Sequence, residues 1–159
     1  MMEENKGFVE LRNVKDYWKK LLFDFDHLRE NEEHTYTAFN FFVTAYHLID
    51  WIFEGQKSEE RTELHQKPLM KLCSHIANGA KHFHIDSKRH KSVKKIEKDR
   101  YVEEGYVEEG YFEEPIIIYL SEPLKSKFGE SISVVDLAEQ IIDFWKNELT
   151  GRNLLQDLE

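Results

Sequence analysis

The stretch "HTYTAFNFFVTAYHLIDWIF", residues 34–53, constrains the fold more than any other part of this sequence. Apolar side chains occur on almost every side of the helix that this stretch would form, rather than on alternate residues as in a half-buried strand. A helix that is apolar nearly all round is stable only when neighbouring elements cover it. We therefore expect residues 34–53 to form the central helix of a helical domain.

Three more segments carry apolar residues at steps of three and four, which is typical of amphipathic helices: 13–30, 68–83 and 134–149. Asn13 and Ser133 are predicted N-caps, because a short polar side chain there can accept a hydrogen bond from the first helical turn. Pro68 suits the first turn of its helix, and Gly151 is a predicted C-cap.

A small β element is predicted between the third and fourth helices. "PIIIYL", residues 115–120, is short and rich in β-branched residues, which favours a strand. A lone strand is unstable, so residues 92–98 are the expected partner. The strands belong to an insertion, residues 86–122, that is first basic and then acidic and includes the repeat "YVEEGYVEEGYFEEP" at 101–115.

These elements together predict a mainly α fold for the whole chain, residues 1–159, as one domain. Short connections between helices favour an up-and-down bundle of four main helices. The antiparallel β hairpin is inserted before the last helix.

Charge and composition exclude several classes of protein. The formal net charge of −9 disfavours a general nucleic-acid coat protein, because a polyanion would be repelled unless a local basic patch prevails. The acidic N-terminal residues do not resemble a signal peptide, and no apolar run is free enough of polar residues to span a membrane. Cys73 is the only cysteine and lies in an apolar stripe, which predicts a buried thiol. A cytoplasmic protein that does not bind membranes is expected.

Residues 74–90 contain four of the eight histidines, which makes this stretch a candidate site. Lys71, His75, Asn78 and His82 fall on one face of the predicted third helix, because steps of four, three and four nearly complete whole turns. The alternative interpretation is an ordinary solvated face at the basic end of a helix.

A second polar stripe lies on the central helix, formed by Asn40, Thr44, His47 and Asp50. Hydrogen bonds inside the core are the simpler interpretation, since buried polar side chains are usually satisfied structurally. The other interpretation is one wall of a polar site. A metal site that uses His47, His75 and His82 is a further alternative, although no metal-ligand spacing supports it, and no cofactor is expected.

The motif "ANGAKHF", residues 77–83, in a helical domain of this size resembles the HEPN superfamily. The resemblance is close over this motif and loose over the remaining helices. The family signature is an arginine, often followed by asparagine, with a histidine downstream. Asn78 matches the polar residue after the arginine and His82 matches the histidine, whereas Ala77 stands where the family has its arginine.

The resemblance implies a helical bundle that dimerises and cleaves RNA without a metal, in phage-defence or toxin–antitoxin systems. In that interpretation His82 acts as a general acid or base toward a ribose 2′-hydroxyl, next to Asn78. Lys71 or Lys81 would supply the positive charge that Ala77 lacks. His75 and His47 are further candidate substrate contacts.

A different class of function is also open: an interaction or dimerisation protein whose aromatic helices bind a partner. The sequence thus leaves a homodimer, an RNA or another protein as the expected partners.

Overall fold

A computed structural model describes residues 6–81, 93–98 and 115–156 of the chain. The described residues form six helices and three strands. In chain order they are α1 (Val14–Glu30), α2 (Thr35–Ile52), α3 (Glu59–Gln66), α4 (Pro68–Lys81), β1 (Val93–Lys98), β2 (Ile116–Leu120), α5 (Leu124–Phe128), β3 (Ser131–Ser133) and α6 (Val134–Gly151). The chain is therefore mainly helical with a small antiparallel sheet, as the sequence predicts.

Residues at the N-termini of α1, α4 and α6 explain where these helices begin. The side chain of Asn13 accepts a hydrogen bond from the backbone nitrogen of Asp16 at 3.0 Å, and Ser133 accepts one from Asp136 at 3.1 Å. Each bond satisfies a donor that the first turn of a helix leaves without an intrahelical partner. Both predicted N-caps are confirmed, as is the start of α4 at Pro68.

Helix α2 occupies the middle of the core and packs against α1, α4 and α6. Its fully buried residues include Phe41, Ala45 and Leu48. The indole nitrogen of Trp145 on α6 donates to the carbonyl oxygen of Ala45 at 3.0 Å, which fixes α6 against the centre of α2. The predicted central position of this helix is confirmed, while the up-and-down order of the four main helices stays a prediction.

The sheet has the order β1–β2–β3, and both pairs are antiparallel. Ile96 of β1 is opposite Ile118 of β2, and Ile118 is opposite Ile132 of β3. Alternate residues of β2 are buried, namely Ile116, Ile118 and Leu120, so one face of the sheet covers the helical core. The predicted pairing of residues 92–98 with residues 115–120 is confirmed.

The structure adds elements to the predicted arrangement. The sheet gains a third strand, β3, because the chain returns to β2 just before α6 begins. Helix α6 also continues through Gly151, and Arg152 rather than Gly151 is its C-cap residue. The repeat at 101–115 lies outside the described residues except for Pro115.

Candidate functional site

The candidate site residues on α4 have different surroundings. Lys71 is exposed, Asn78 is half-buried, and His75 is buried with a relative exposure of 6%. The amide nitrogen of Asn78 donates to the backbone oxygen of Ser74 at 2.8 Å and also lies 3.2 Å from the Ser74 hydroxyl. This amide is thus engaged within its own helix. His82 and the side chain of Lys81 lie outside the described residues.

His47 belongs to a different cluster. Its Nδ1 atom lies 3.0 Å from one carboxylate oxygen of Asp50, and the other oxygen accepts a hydrogen bond from Nη2 of Arg61 at 2.6 Å. Tyr46, the neighbour of His47, contacts the ring of His65 at a centroid distance of 6.0 Å. His47 is therefore part of a polar contact between α2 and α3.

Burial lowers the pKa of His65, and the nearby positive charge of Arg61 lowers it further, whereas Asp50 acts in the opposite direction. The imidazole of His65 is therefore held toward its neutral form in the fold. Within the described residues, no group of three or more His, Cys, Asp or Glu side chains is arranged to hold a metal ion.

The polar stripe on α2 is divided between two environments. Thr44 is buried and donates to the carboxylate of Asp24 at 2.5 Å, and Lys20 also bonds to this carboxylate. The backbone oxygen of Thr44 accepts a hydrogen bond from Tyr17 at 2.9 Å. The interpretation as hydrogen bonds inside the core is confirmed for Thr44, whereas Asn40 is exposed.

The feature best suited to binding is an apolar groove between α2, α4 and β1, with a volume of about 400 Å³. The helices contribute Phe39 and Phe42 from α2 and His75, Ile76 and Gly79 from α4; Val93 and Ile96 of β1 and Ile116 and Ile118 of β2 are also among its walls. Sites for small ligands and peptide side chains are usually concave and mostly apolar, with few polar groups. The groove has this character, and His75 is one of its few polar side chains.

The rim of the apolar groove combines exposed apolar and positively charged groups. Phe39 and Ile96 are each 45% exposed, although they come from two different elements. Lys94 and Lys95 also line the groove, and β1 is exposed from Lys94 to Lys98. A half-exposed aromatic and a half-exposed β-branched side chain next to a cavity are typical of a surface that a partner covers.

A larger cavity of about 930 Å³ lies between the N-terminal turn and the end of α2. Charged groups of both signs line it, including Lys15 and Glu54. The guanidinium of Arg12, also in its wall, donates to the backbone oxygens of Val9 at 2.5 Å and Lys6 at 3.0 Å. Arg12 is thus engaged in holding the N-terminal segment in place. Because this charged group of the larger cavity already has a structural role, we consider the apolar groove the stronger candidate for a binding site.

Sequence patterns missed most of the apolar groove because its walls are distant in the chain. The short spacing of His47 and Asp50 on one helix could have suggested their contact. No local signal links Asp50 to Arg61 on another helix, or Phe39 to Ile96. The exposure of Phe39 could not be predicted, because the helix at residues 34–53 carries apolar residues on almost every side.

Within residues 6–81, 93–98 and 115–156, every helix is too short or too polar to cross a lipid bilayer. Comparison with protein-family models, with curated proteins and with solved structures finds no match to this chain.

Proposed function

We propose that this chain is an interaction protein that binds a peptide segment of a partner protein in the apolar groove. The observation that supports the proposal is the pair of half-exposed side chains, Phe39 and Ile96, that flank a cavity of about 400 Å³. Partner side chains that enter the groove would remove both from water, at about 25 cal/mol for each Å² of apolar surface buried. Aromatic residues beside a pocket are typical hot spots, the residues that contribute most of the binding free energy of a protein interface.

The surroundings of the other candidate residues also favour a peptide-binding function. Among the described residues, Asn78 bonds to Ser74 and His47 bonds to Asp50, so these two polar groups are engaged in separate contacts. Their positions give no shared polar centre with Lys71, which is exposed on the first turn of α4. The apolar groove, in contrast, combines side chains from α2, α4 and both longer strands in one concave surface.

A displayed peptide library, selected on the purified protein, tests this proposal. We expect selected peptides to bind the wild type, and Phe39→Ser to weaken binding roughly tenfold, which corresponds to about 1.4 kcal/mol. The matched control is Phe23→Ser, because Phe23 is 60% exposed on α1 and does not line the apolar groove. Failure to select any peptide, or equal weakening by both variants, would contradict the proposal.

The resemblance to the HEPN superfamily supports a second candidate function: metal-independent RNA cleavage through His82 in a homodimer. One described feature favours it. The helix that carries Asn78 in its last full turn packs against β1, where Lys94 and Lys98 are exposed. Such lysines could attract a phosphate backbone to the end of α4 despite the net charge of −9.

The RNase candidate is tested with a labelled single-stranded RNA in the presence of EDTA. We expect cleavage by the wild type and by His34→Ala, which removes an exposed histidine at the start of α2. His82→Ala should abolish cleavage while the circular dichroism spectrum is unchanged. RNA that stays intact with the wild type, or equal cleavage by His82→Ala, would reject the assignment.

A further inference from the structure

We infer that the partner segment is an acidic, extended peptide that adds to the outer side of β1, the side away from β2, as a fourth strand; this inference rests on the proposed function. Strand β1 is at the edge of the sheet, since it pairs with β2 alone among the described strands. Its six residues run beside the apolar groove, and four of them, Val93, Lys94, Lys95 and Ile96, line it. Addition of a strand to an exposed sheet edge is a common way to bind a peptide, because backbone hydrogen bonds supply affinity whatever the peptide sequence.

The register of the sheet shows which side chains of an added strand would enter the apolar groove. Ile96 is opposite Ile118, so Ile96 belongs to the sheet face that covers the core. Neighbouring strands lie about 4.8 Å apart, and residues opposite each other point to the same face. The side chain of an added strand that is opposite Ile96 would therefore lie beside Ile96 and toward Phe39. An apolar residue at this position would cover both exposed side chains.

The charges on β1 select an acidic peptide. The strand "VKKIEK" carries three lysines and one glutamate in a chain whose net charge is −9. Lys95 is paired with Glu97 at 2.7 Å, and its ammonium group lies over the ring of Tyr119. Lys94 and Lys98 are exposed and form no ion pair within the described residues. Lys98 is opposite Ile116 and two residues from Ile96, so it shares the face of Ile96, and Lys94 also lines the apolar groove. Glutamates or aspartates on the groove side of the peptide, two residues before and after its apolar residue, would place their charges next to these two lysines.

The same charges disfavour a second copy of this chain as the occupant. Lysines on an edge strand are a common device against edge-to-edge pairing, because two such edges repel each other. Two β1 strands would bring six lysines together, as each copy contributes three. An acidic segment would instead be attracted to these lysines. The same side chains can therefore disfavour self-association and favour binding of the acidic partner.

The probe is a synthetic peptide, acetyl-Thr-Glu-Thr-Val-Thr-Glu-Thr-amide, in which the valine and both glutamates lie on one face of an extended strand. Its counterpart has lysine in place of both glutamates. We expect the acidic peptide to bind and the basic peptide not to bind. The affinity of the acidic peptide should fall as the salt concentration is raised. The double variant Lys94→Glu, Lys98→Glu should weaken binding about tenfold at low salt. The matched control is Lys125→Glu, because Lys125 is exposed on α5 and lies outside the apolar groove.

Backbone pairing is tested with two N-methylated forms of the acidic peptide. A strand at a sheet edge directs alternate N–H groups toward its neighbour. Methylation of one alternating set of amides should therefore abolish binding, while methylation of the other set should leave the affinity within about twofold of the parent peptide.

The outcomes separate the two proposals. Library peptides that depend on Phe39 but show no acidic preference, or tolerate both methylated sets, would overturn strand addition and leave the apolar groove as a binding site. Equal binding of the acidic and basic probes would also overturn the inference. If neither the probes nor the library yield a peptide that binds, both proposals fail.

Discussion

Asp24 is a charged side chain buried in the core, with a relative exposure of 5%. Its carboxylate bonds to Lys20 on the same helix and to the hydroxyl of Thr44 on α2. A buried charge is tolerated only when it is paired and hydrogen-bonded, and removal of one partner leaves the others unsatisfied. We expect Asp24→Ala to lower the free energy of unfolding by about 1–3 kcal/mol, measured by urea denaturation.

Asp26→Ala is the control for the buried carboxylate. Asp26 is on the same helix but is exposed, so its removal should change stability by less than about 0.5 kcal/mol. Equal effects of the two substitutions would show that the contact with Thr44 contributes nothing specific.

His65 gives stability a dependence on pH. Its pKa is lowered in the fold, chiefly by burial and then by Arg61, so the unfolded chain binds this proton more readily than the folded chain does. The contribution of neutral His65 to the free energy of unfolding is fully present above the ordinary histidine pKa of about 6.5. It is lost as the pH falls toward the lower pKa of the folded state. We expect His65→Gln to reduce the loss of stability between pH 7 and pH 5, measured by urea denaturation at each pH. A pH dependence identical to that of the wild type would contradict this expectation.

Cys73 is fully buried, and burial raises the pKa of its thiol above the ordinary range. The thiolate is the reactive form, so the native thiol should be inert. We expect a disulfide reagent such as DTNB to react at least about a hundredfold faster in urea than with the native protein, because native reaction needs local opening. Since Cys73 is the only cysteine, the signal is unambiguous, and rapid native labelling would contradict its burial.

At the scale of the element, α6 depends on a single side chain for its first turn. Ser133 ends β3 and caps α6 at 3.1 Å from the nitrogen of Asp136. Loss of such a cap costs about 1 kcal/mol, so Ser133→Ala should lower the free energy of unfolding by that amount. Ser131→Ala is the control, since Ser131 is exposed on the same short strand and caps no helix. Equal stability of the two variants would show that the cap is unimportant.

At the scale of the whole molecule, one hydrophobic core joins the helices to the sheet. Buried residues of the core come from every helix and from β2. Trp18 on α1 and Trp145 on α6 both belong to it, whereas circular dichroism reports all helices together. Because one core predicts one cooperative transition, we expect tryptophan fluorescence and circular dichroism to give the same denaturation midpoint. Separate midpoints would indicate two independently stable parts.

The sequence by itself determined the four long helices and the two longer strands of this protein. The spacing of apolar residues identified α1, α2, α4 and α6, and the caps at Asn13 and Ser133 were readable because a capping bond joins residues only three apart. The strand at 115–120 and its pairing with 92–98 were also predictable, since a short β-branched run needs a partner. Periodicity and capping are local properties, so no knowledge of packing was needed.

Only the tertiary structure decided which side chains share a surface. Asp50 pairs with Arg61, and Phe39 lines the same cavity as Ile96, through contacts between elements that are far apart in sequence. His75 and Asn78 were predicted to share a polar face, yet the packing of α4 against α2 and β1 buries His75 in a groove wall and leaves Asn78 half-buried. Helical periodicity states which residues lie on one side of a helix, but the neighbouring elements determine whether that side faces water, the core or a groove.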